Sequence, residues 1–155
     1  MAKVSPKAWG AILGAAGAIA GGLIVKWEGT RYEAYRPVPG DPWTICVGHT
    51  RGVKEGDTAT QEQCDAYLAE DMAIAAQTVS KCITHPLPVS ARAALISGVF
   101  NVGPSLVCGS TLQRKANAGD IAGMCAELDR WVYAGGKRYR GLENRRADER
   151  RLCES

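Results

Sequence analysis

The sequence predicts an α+β domain in which a short β-rich stretch is set between helices, and three observations carry that prediction. Residues Thr44-Ile45-Cys46-Val47-Gly48-His49-Thr50 alternate with the period of two that a strand requires. From Thr60 onward, apolar residues recur at helical spacing. Cap and stop residues then divide the second half into successive helices. At 155 residues the chain has the length of one domain able to bury its own core.

The N-terminal segment is apolar. After Lys3 and Lys7, residues 8–25 carry no charged side chain, and the run of 18 is just long enough to span a bilayer. Eleven of the 18 are Gly or Ala, so Ile12, Leu13, Ile19, Leu23, Ile24 and Val25 together favour insertion by only about 2 to 4 kcal/mol. Such an anchor is reversible. Three readings fit: a cleaved signal peptide with a small-residue site at Ala18-Ile19-Ala20, a permanent anchor, or a segment that inserts, leaves the bilayer and packs on the domain.

Glu28 emerges directly from that run. A carboxyl at the end of an apolar helix is poorly solvated, which favours the protonated form that a glycosidase acid needs. By itself a Glu in this place is more often a solvated helix-end residue. Tyr32, Tyr35 and a Pro/Gly turn at 37–42 follow, and then the strand.

Beyond the β stretch, Thr60 caps a helix to about Ser80 with Cys64, Leu68, Met72, Ala75, Ala76 and Val79 on its apolar face. Pro86 and Pro88 break the pattern, Ser90 caps 91–102, and Gly103-Pro104 ends that helix. Ser110 or Thr111 opens a short helix closed by Gly119, and Asp120 caps 121–132. Residues 134–137 form a flexible turn. Residues 142–153 make a last helix whose Arg145, Arg146, Arg150 and Arg151, interleaved with acids, read as a solvated face.

Composition narrows the class. Hydrophobic content of 46% and charge of 23% are those of a folded protein. The net charge of +3, with pI near 8.6, suits approach to an anionic wall or membrane and is too small and mixed in sign for nucleic acid. Six cysteines without a CxxC pair, beside only two histidines, point to disulfides and not to a metal site. No cofactor is implied.

Glu28-Gly29, the TICVGHT stretch from Thr44, FNVG from Phe100, Ser110-Thr111-Leu112, RWVYAGGK from Arg130 and the Arg145-Arg146 pair with late Cys153 together resemble the phage-type lysozymes, the muramidase endolysins, and especially their signal-anchor-release branch. The resemblance runs from about Trp27 to Cys153. It implies a phage-type lysozyme fold with a small β lobe and a larger helical lobe joined by a long helix, preceded by an anchor helix. The corresponding divisions are 1–25, 26–59, 60–80 and 81–155.

The implied activity is hydrolysis of the β-1,4 bond between N-acetylmuramic acid and N-acetylglucosamine, with Glu28 as general acid and Thr44 as the active-site Thr. The partner is peptidoglycan. Asn101 matches a substrate-binding position in the cleft, and His49 with Asp71 matches a structural pair. The resemblance also suggests the pairs Cys46 with Cys64, Cys125 with Cys153 and, by remainder, Cys82 with Cys108. It places the chain at the host inner membrane, tethered and inactive through 8–25, then in the periplasm as a released, active monomer.

One departure bears on mechanism. The family pattern has an Asp nine residues after the Glu, where this chain has Pro37, and the interval to Thr44 is one residue longer. Asp41 is the acid in the turn. Either it supplies the second carboxylate, or it only shapes the Gly-Asp-Pro turn. With one acid, the same scaffold would suit a lytic transglycosylase, and with none working, a wall-binding protein.

Overall fold

The computed structural model describes residues 6–155, with side chains from residue 14 onward. Helix α1, Pro6–Glu28, is broken in direction at Gly14, whose φ of 77° and ψ of −177° lie outside helical space. Beyond that point Ala16, Ala20 and Ile24 recur every fourth residue and are buried. This stripe packs chiefly on α3, Val89–Val102, and also on α2, Gln61–Cys82. Ala91, Ala93 and Ala94 of α3 are themselves fully buried, so small side chains dominate both helices where they meet.

The expected anchor run falls partly on residues 8–13, whose side chains lie outside the described residues, as do Lys3 and the rest of 1–5. Among the described residues no helix is long and apolar enough to cross a membrane. The helix continues through the division expected at 25/26 and stops at Gly29, whose φ of 68° takes the chain out of the helical region while its N–H still reaches the Val25 carbonyl at 3.0 Å.

Strands β1, Arg31–Tyr35, and β2, Thr44–Cys46, form an antiparallel pair with Arg31 opposite Cys46 and Tyr35 opposite Thr44. The alternation read over 44–50 therefore overstates the strand. Cys46 has a φ of 59° and Gly48 one of 72°, and the chain folds back so that Ile45 and His49 exchange two backbone hydrogen bonds of 2.9 Å. A disulfide joins Cys46 to Cys64 on α2 and ties this small sheet to the body.

Thr60 opens α2 with a reciprocal cap: its hydroxyl accepts from the Gln63 N–H at 3.2 Å, and the Gln63 side-chain oxygen accepts from the Thr60 N–H at 2.8 Å. Ser90 does not cap α3. The helix starts two residues earlier, at Val89 behind Pro88, and the Ser90 hydroxyl donates to the Ser155 carbonyl instead. Helix α4, Thr111–Asn117, is capped by Ser110, and α5, Ile121–Glu127, by Asp120. Helix α5 ends five residues sooner than its pattern suggests and passes into a 3-10 turn, Leu128–Arg130.

The segment expected as a flexible turn is a hairpin, β3 Tyr133–Ala134 with β4 Lys137–Arg138, because Gly135 and Gly136 supply the two positive φ values, 57° and 77°, of a tight turn. Helix α6, Arg140–Cys153, then packs against α3 and is fastened by the Cys125–Cys153 disulfide. Cys82–Cys108 links the ends of α2 and the loop after α3. The main core lies among α1, α2, α3 and the C-terminal helices, and a satellite cluster of Ile45, Cys46 and Cys64 lies under the small sheet.

Candidate active site

Glu28 is the last residue of α1, and its side chain is one quarter exposed. Oε1 accepts a 2.5 Å hydrogen bond from Arg145 Nη1. Oε2 faces Gly48, where an added Cβ would stand 3.4 Å from it and 3.9 Å from the Phe100 ring. A side chain's first carbon would fit there in ordinary contact, so it is the positive φ of 72° that calls for glycine at 48. The sequence expected an isolated carboxyl against apolar surface; the structure gives it a cation on one oxygen and open backbone beside the other.

Behind Arg145 lies a buried charge network. Its Nε is 3.3 Å from Glu149 Oε1, which also accepts from the Ser97 hydroxyl at 2.8 Å. Arg146 Nε is 2.8 Å from Glu149 Oε2, and its Nη2 donates to Asn101 Oδ1 at 2.6 Å. Arg145, Arg146 and Glu149 are 4%, 0% and 0% exposed, which overturns their reading as a solvated basic face. Burial pushes the Glu149 carboxyl above the usual carboxylate range, against the pull of Arg146 and Arg145, and lowers the Arg146 guanidinium, against the pull of Glu149.

This network is what sequence reasoning missed, although a signal exists: Arg145, Glu149 and Cys153 are spaced four apart, so a disulfide at 153 turns all three inward.

A cavity of about 470 Å³ opens at Glu28, walled by Trp27, Asn101, Ala134, Tyr139, Leu142 and Arg145. Gly48 and Phe100 border a second one of about 330 Å³, which extends toward Asp71 and Val99. The structure therefore brings Glu28 and Asn101 to one wall. Thr44 and Asp41 do not line that cavity. Thr44 is buried in the sheet with its hydroxyl donating to the Pro42 carbonyl at 3.1 Å, and half-buried Asp41 closes the preceding turn through its N–H to the Val38 carbonyl. Among the described residues the Asp41 carboxylate has no hydrogen-bond partner.

His49 is buried, with Nδ1 2.8 Å from Asp71 Oδ2, Nε2 3.0 Å from the Arg51 carbonyl, and its ring stacked on Tyr67 at 4.0 Å. With both nitrogens engaged, the ring braces the loop after β2 against α2.

The end of α1 is also clamped from outside. Lys26 Nζ and Trp27 Nε1 both donate to Asp148 Oδ2, at 2.6 and 3.1 Å. Lys26, chiefly through that hydrogen bond, and Arg151 hold the Asp148 carboxyl below the usual range.

Comparison with known proteins places this arrangement. Residues 25–149 match the family model for phage lysozyme. The chain is 43% identical over 150 residues to the SAR-endolysin of Bacteriophage PS119, covering 92% of this chain and 89% of that one. The active form of the P1 phage endolysin Lyz superposes with a TM-score of 0.83 at 27% identity, over 99% of this chain and 95% of that one. The muramidase domain of SpmX from Asticaccaulis excentricus gives a TM-score of 0.79 at 31% identity, over 88% and 95%. The chain belongs to the phage lysozyme family, and it is a glycoside hydrolase of that family, a peptidoglycan-degrading lysozyme.

Proposed function

We propose that the enzyme hydrolyses the β-1,4 bond between N-acetylmuramic acid and N-acetylglucosamine in peptidoglycan, with Glu28 protonating the departing sugar oxygen, in the service of host lysis. The observation that carries this reading is the setting of Glu28, at a cavity of saccharide size with one carboxylate oxygen held by Arg145 and the other facing the open backbone of Gly48. The Arg145 guanidinium is divided between Glu28 and Glu149, so its charge is not given wholly to the acid.

The water-activating side is assigned to the small lobe. Asp41 and Thr44, which do not line the Glu28 cavity in this structure, turn toward it in the substrate complex and hold a water opposite Glu28. The bond breaks by single displacement with inversion, the two carboxyls then standing about 6.5 to 9.5 Å apart. With no hydrogen-bond partner among the described residues, the Asp41 carboxylate can turn toward such a water. Pro37 favours one other outcome, a lytic transglycosylase in which the sugar's own 6-hydroxyl replaces water.

The compartment follows from the N-terminal segment. Residues 8–25 first tether the chain in the inner membrane, with Glu28 held at the membrane face away from Arg145. Release into the periplasm lets α1 dock as a stripe of Ala16, Ala20 and Ile24, assembling a monomeric active enzyme. The buried stripe supports this reading, as does the SAR-endolysin likeness.

Mass spectrometry of fragments released from purified peptidoglycan tests the chemistry. Wild type is expected to yield reducing muramic ends, and Glu28→Gln to lose about 10²-fold or more of the rate. Anhydro ends from wild type would establish the transglycosylase, and undiminished cleavage by Glu28→Gln would remove Glu28 from the mechanism. Asp41→Asn alongside decides whether the turn carries the second carboxylate.

A further inference from the structure

Asn101 stands at the end of α3 on the wall of the Glu28 cavity, and a buried cation decides which way its amide points. Arg146 Nη2 lies 2.6 Å from the amide oxygen. A guanidinium has donors only, so the atom it meets must be the oxygen, and the NH2 is turned away from it. Among the described residues that NH2 donates to nothing.

Arg146 cannot easily yield. It is fully buried, its Nη2 also donates to Glu149 Oε1 at 3.2 Å, and its Nε stands 2.8 Å from Glu149 Oε2 as an ion pair without hydrogen-bond alignment. Glu149 Oε1 also accepts from the Ser97 hydroxyl. Flipping the Asn101 amide would set NH2 against guanidinium and leave a buried donor unsatisfied. The wall that Asn101 shares carries the apolar or aromatic Trp27, Ala134, Tyr139 and Leu142 together with the charged Glu28 and Arg145.

We propose that Arg146 is a positioning residue that turns the Asn101 NH2 into the Glu28 cavity, so that the cavity selects a sugar presenting an acceptor oxygen beside a methyl group, the acetamido group of an N-acetylhexosamine. The carbonyl accepts from Asn101 and the methyl rests on the apolar wall. This rests on the reading of the cavity as a saccharide site and adds to it which substituent is read and what fixes the reader.

The test compares hydrolysis of two matched glycans, N-acetylated peptidoglycan strands and the same strands chemically de-N-acetylated. Wild type is expected to prefer the acetylated glycan about tenfold or more in kcat/KM, the weight of one hydrogen bond left unmade with its contacts. Asn101→Asp keeps the partner of Arg146 but replaces the donor by an acceptor. Its KM on the acetylated glycan should rise about tenfold with a smaller change in kcat, and its preference should vanish or reverse, because a carboxylate accepts from the ammonium of a de-N-acetylated sugar.

The charge-balanced double variant Arg146→Met, Glu149→Met should lose most of the preference, and Arg146→Lys, still donor-only, should keep it. A merely structural role would lower activity on both glycans in equal proportion. Equal kcat/KM of wild type on the two glycans, or an undiminished preference in Asn101→Asp, would overturn the proposal. Failure of the underlying hydrolase reading looks different, since wild type would then release no hydrolysed fragments from either glycan.

Discussion

The inward and outward faces of α6 are built from the same residue types and behave in opposite ways. Inward, Arg145, Arg146 and Glu149 are enclosed between α3 and the helix itself, and their bonds reach Ser97, Asn101 and the catalytic candidate Glu28. Outward, Arg150 pairs with Asp129 and Glu154 in solvent, and Arg151, 77% exposed, pairs with Asp148. Charge in water is screened and paired at little gain, whereas charge without water depends on its counter-charge. It does so the more here because Arg146 Nε and Nη1 and Glu149 Oε2 have no hydrogen bond among the described residues. The difference between the faces is therefore one of dielectric, and it decides which arginines hold the site.

Removing one member from each face should expose that difference. Glu149→Leu strands Arg146 and part of Arg145 without a counter-charge, and breaking a buried pair in this way costs about 3 to 5 kcal/mol. A Tm lower by roughly 6 to 20 °C is expected for a chain of this size. Arg150→Leu, on the outward face and paired with Asp129 and Glu154 in solvent, should cost no more than about 1 kcal/mol. Equal losses in thermal unfolding would mean that the two faces share one environment.

The end of the inward face is fixed covalently. Cys153 closes a loop of 28 residues with Cys125, a constraint of about 3.5 kcal/mol by loop entropy. The double variant Cys125→Ser, Cys153→Ser should lose most of that in denaturant unfolding, and peptidoglycan hydrolysis should fall with it, because Arg145 lies on the same face two turns earlier. Full stability without this disulfide would show that packing alone turns the face inward.

How far these features can be read from the sequence follows the same division. The apolar stripe of α2, its Thr60 cap and the helical second half are carried by local pattern, so the α+β class is legible residue by residue. The strand beginning at Thr44 is legible, and its early end is not, because that end depends on a left-handed Cys46 that no propensity favours. The β3–β4 hairpin is signalled by Gly135-Gly136, but two-residue strands carry too little pattern to show as more than a turn.

Glu28 stands out in the sequence because an acid at the end of an apolar run conflicts with its neighbours. Arg145, Arg146 and Glu149 do not stand out, since a helix with alternating charges looks solvated unless a remote contact, here Cys153, fixes its rotation. Charge patterning reports composition along a helix, and tertiary packing decides which face meets water.

The smallest expected effect is also the most diagnostic of sign. Lys26, through its hydrogen bond, and Arg151 hold the Asp148 carboxyl below its ordinary range, so the unfolded chain takes up that proton first. The stability Asp148 contributes is therefore complete above the unfolded carboxylate value of about 3.9 and is lost as pH falls through the lower folded value. Its partners are largely exposed, so the advantage of wild type over Asp148→Asn at neutral pH should be only about 0.5 to 1 kcal/mol.

Glu149 has the opposite slope. Burial raises its carboxyl, the folded state binds the proton first, and the cost of its ionisation grows as pH rises from the unfolded value toward the folded one. Melting temperatures of wild type, Asp148→Asn and Glu149→Gln across the acid range should thus diverge in opposite senses: lowering the pH erases the benefit of Asp148 and relieves the burden of Glu149. Parallel curves would mean that adjacent residues on α6 titrate alike, and the contrast between its faces would then have to rest on packing without charge.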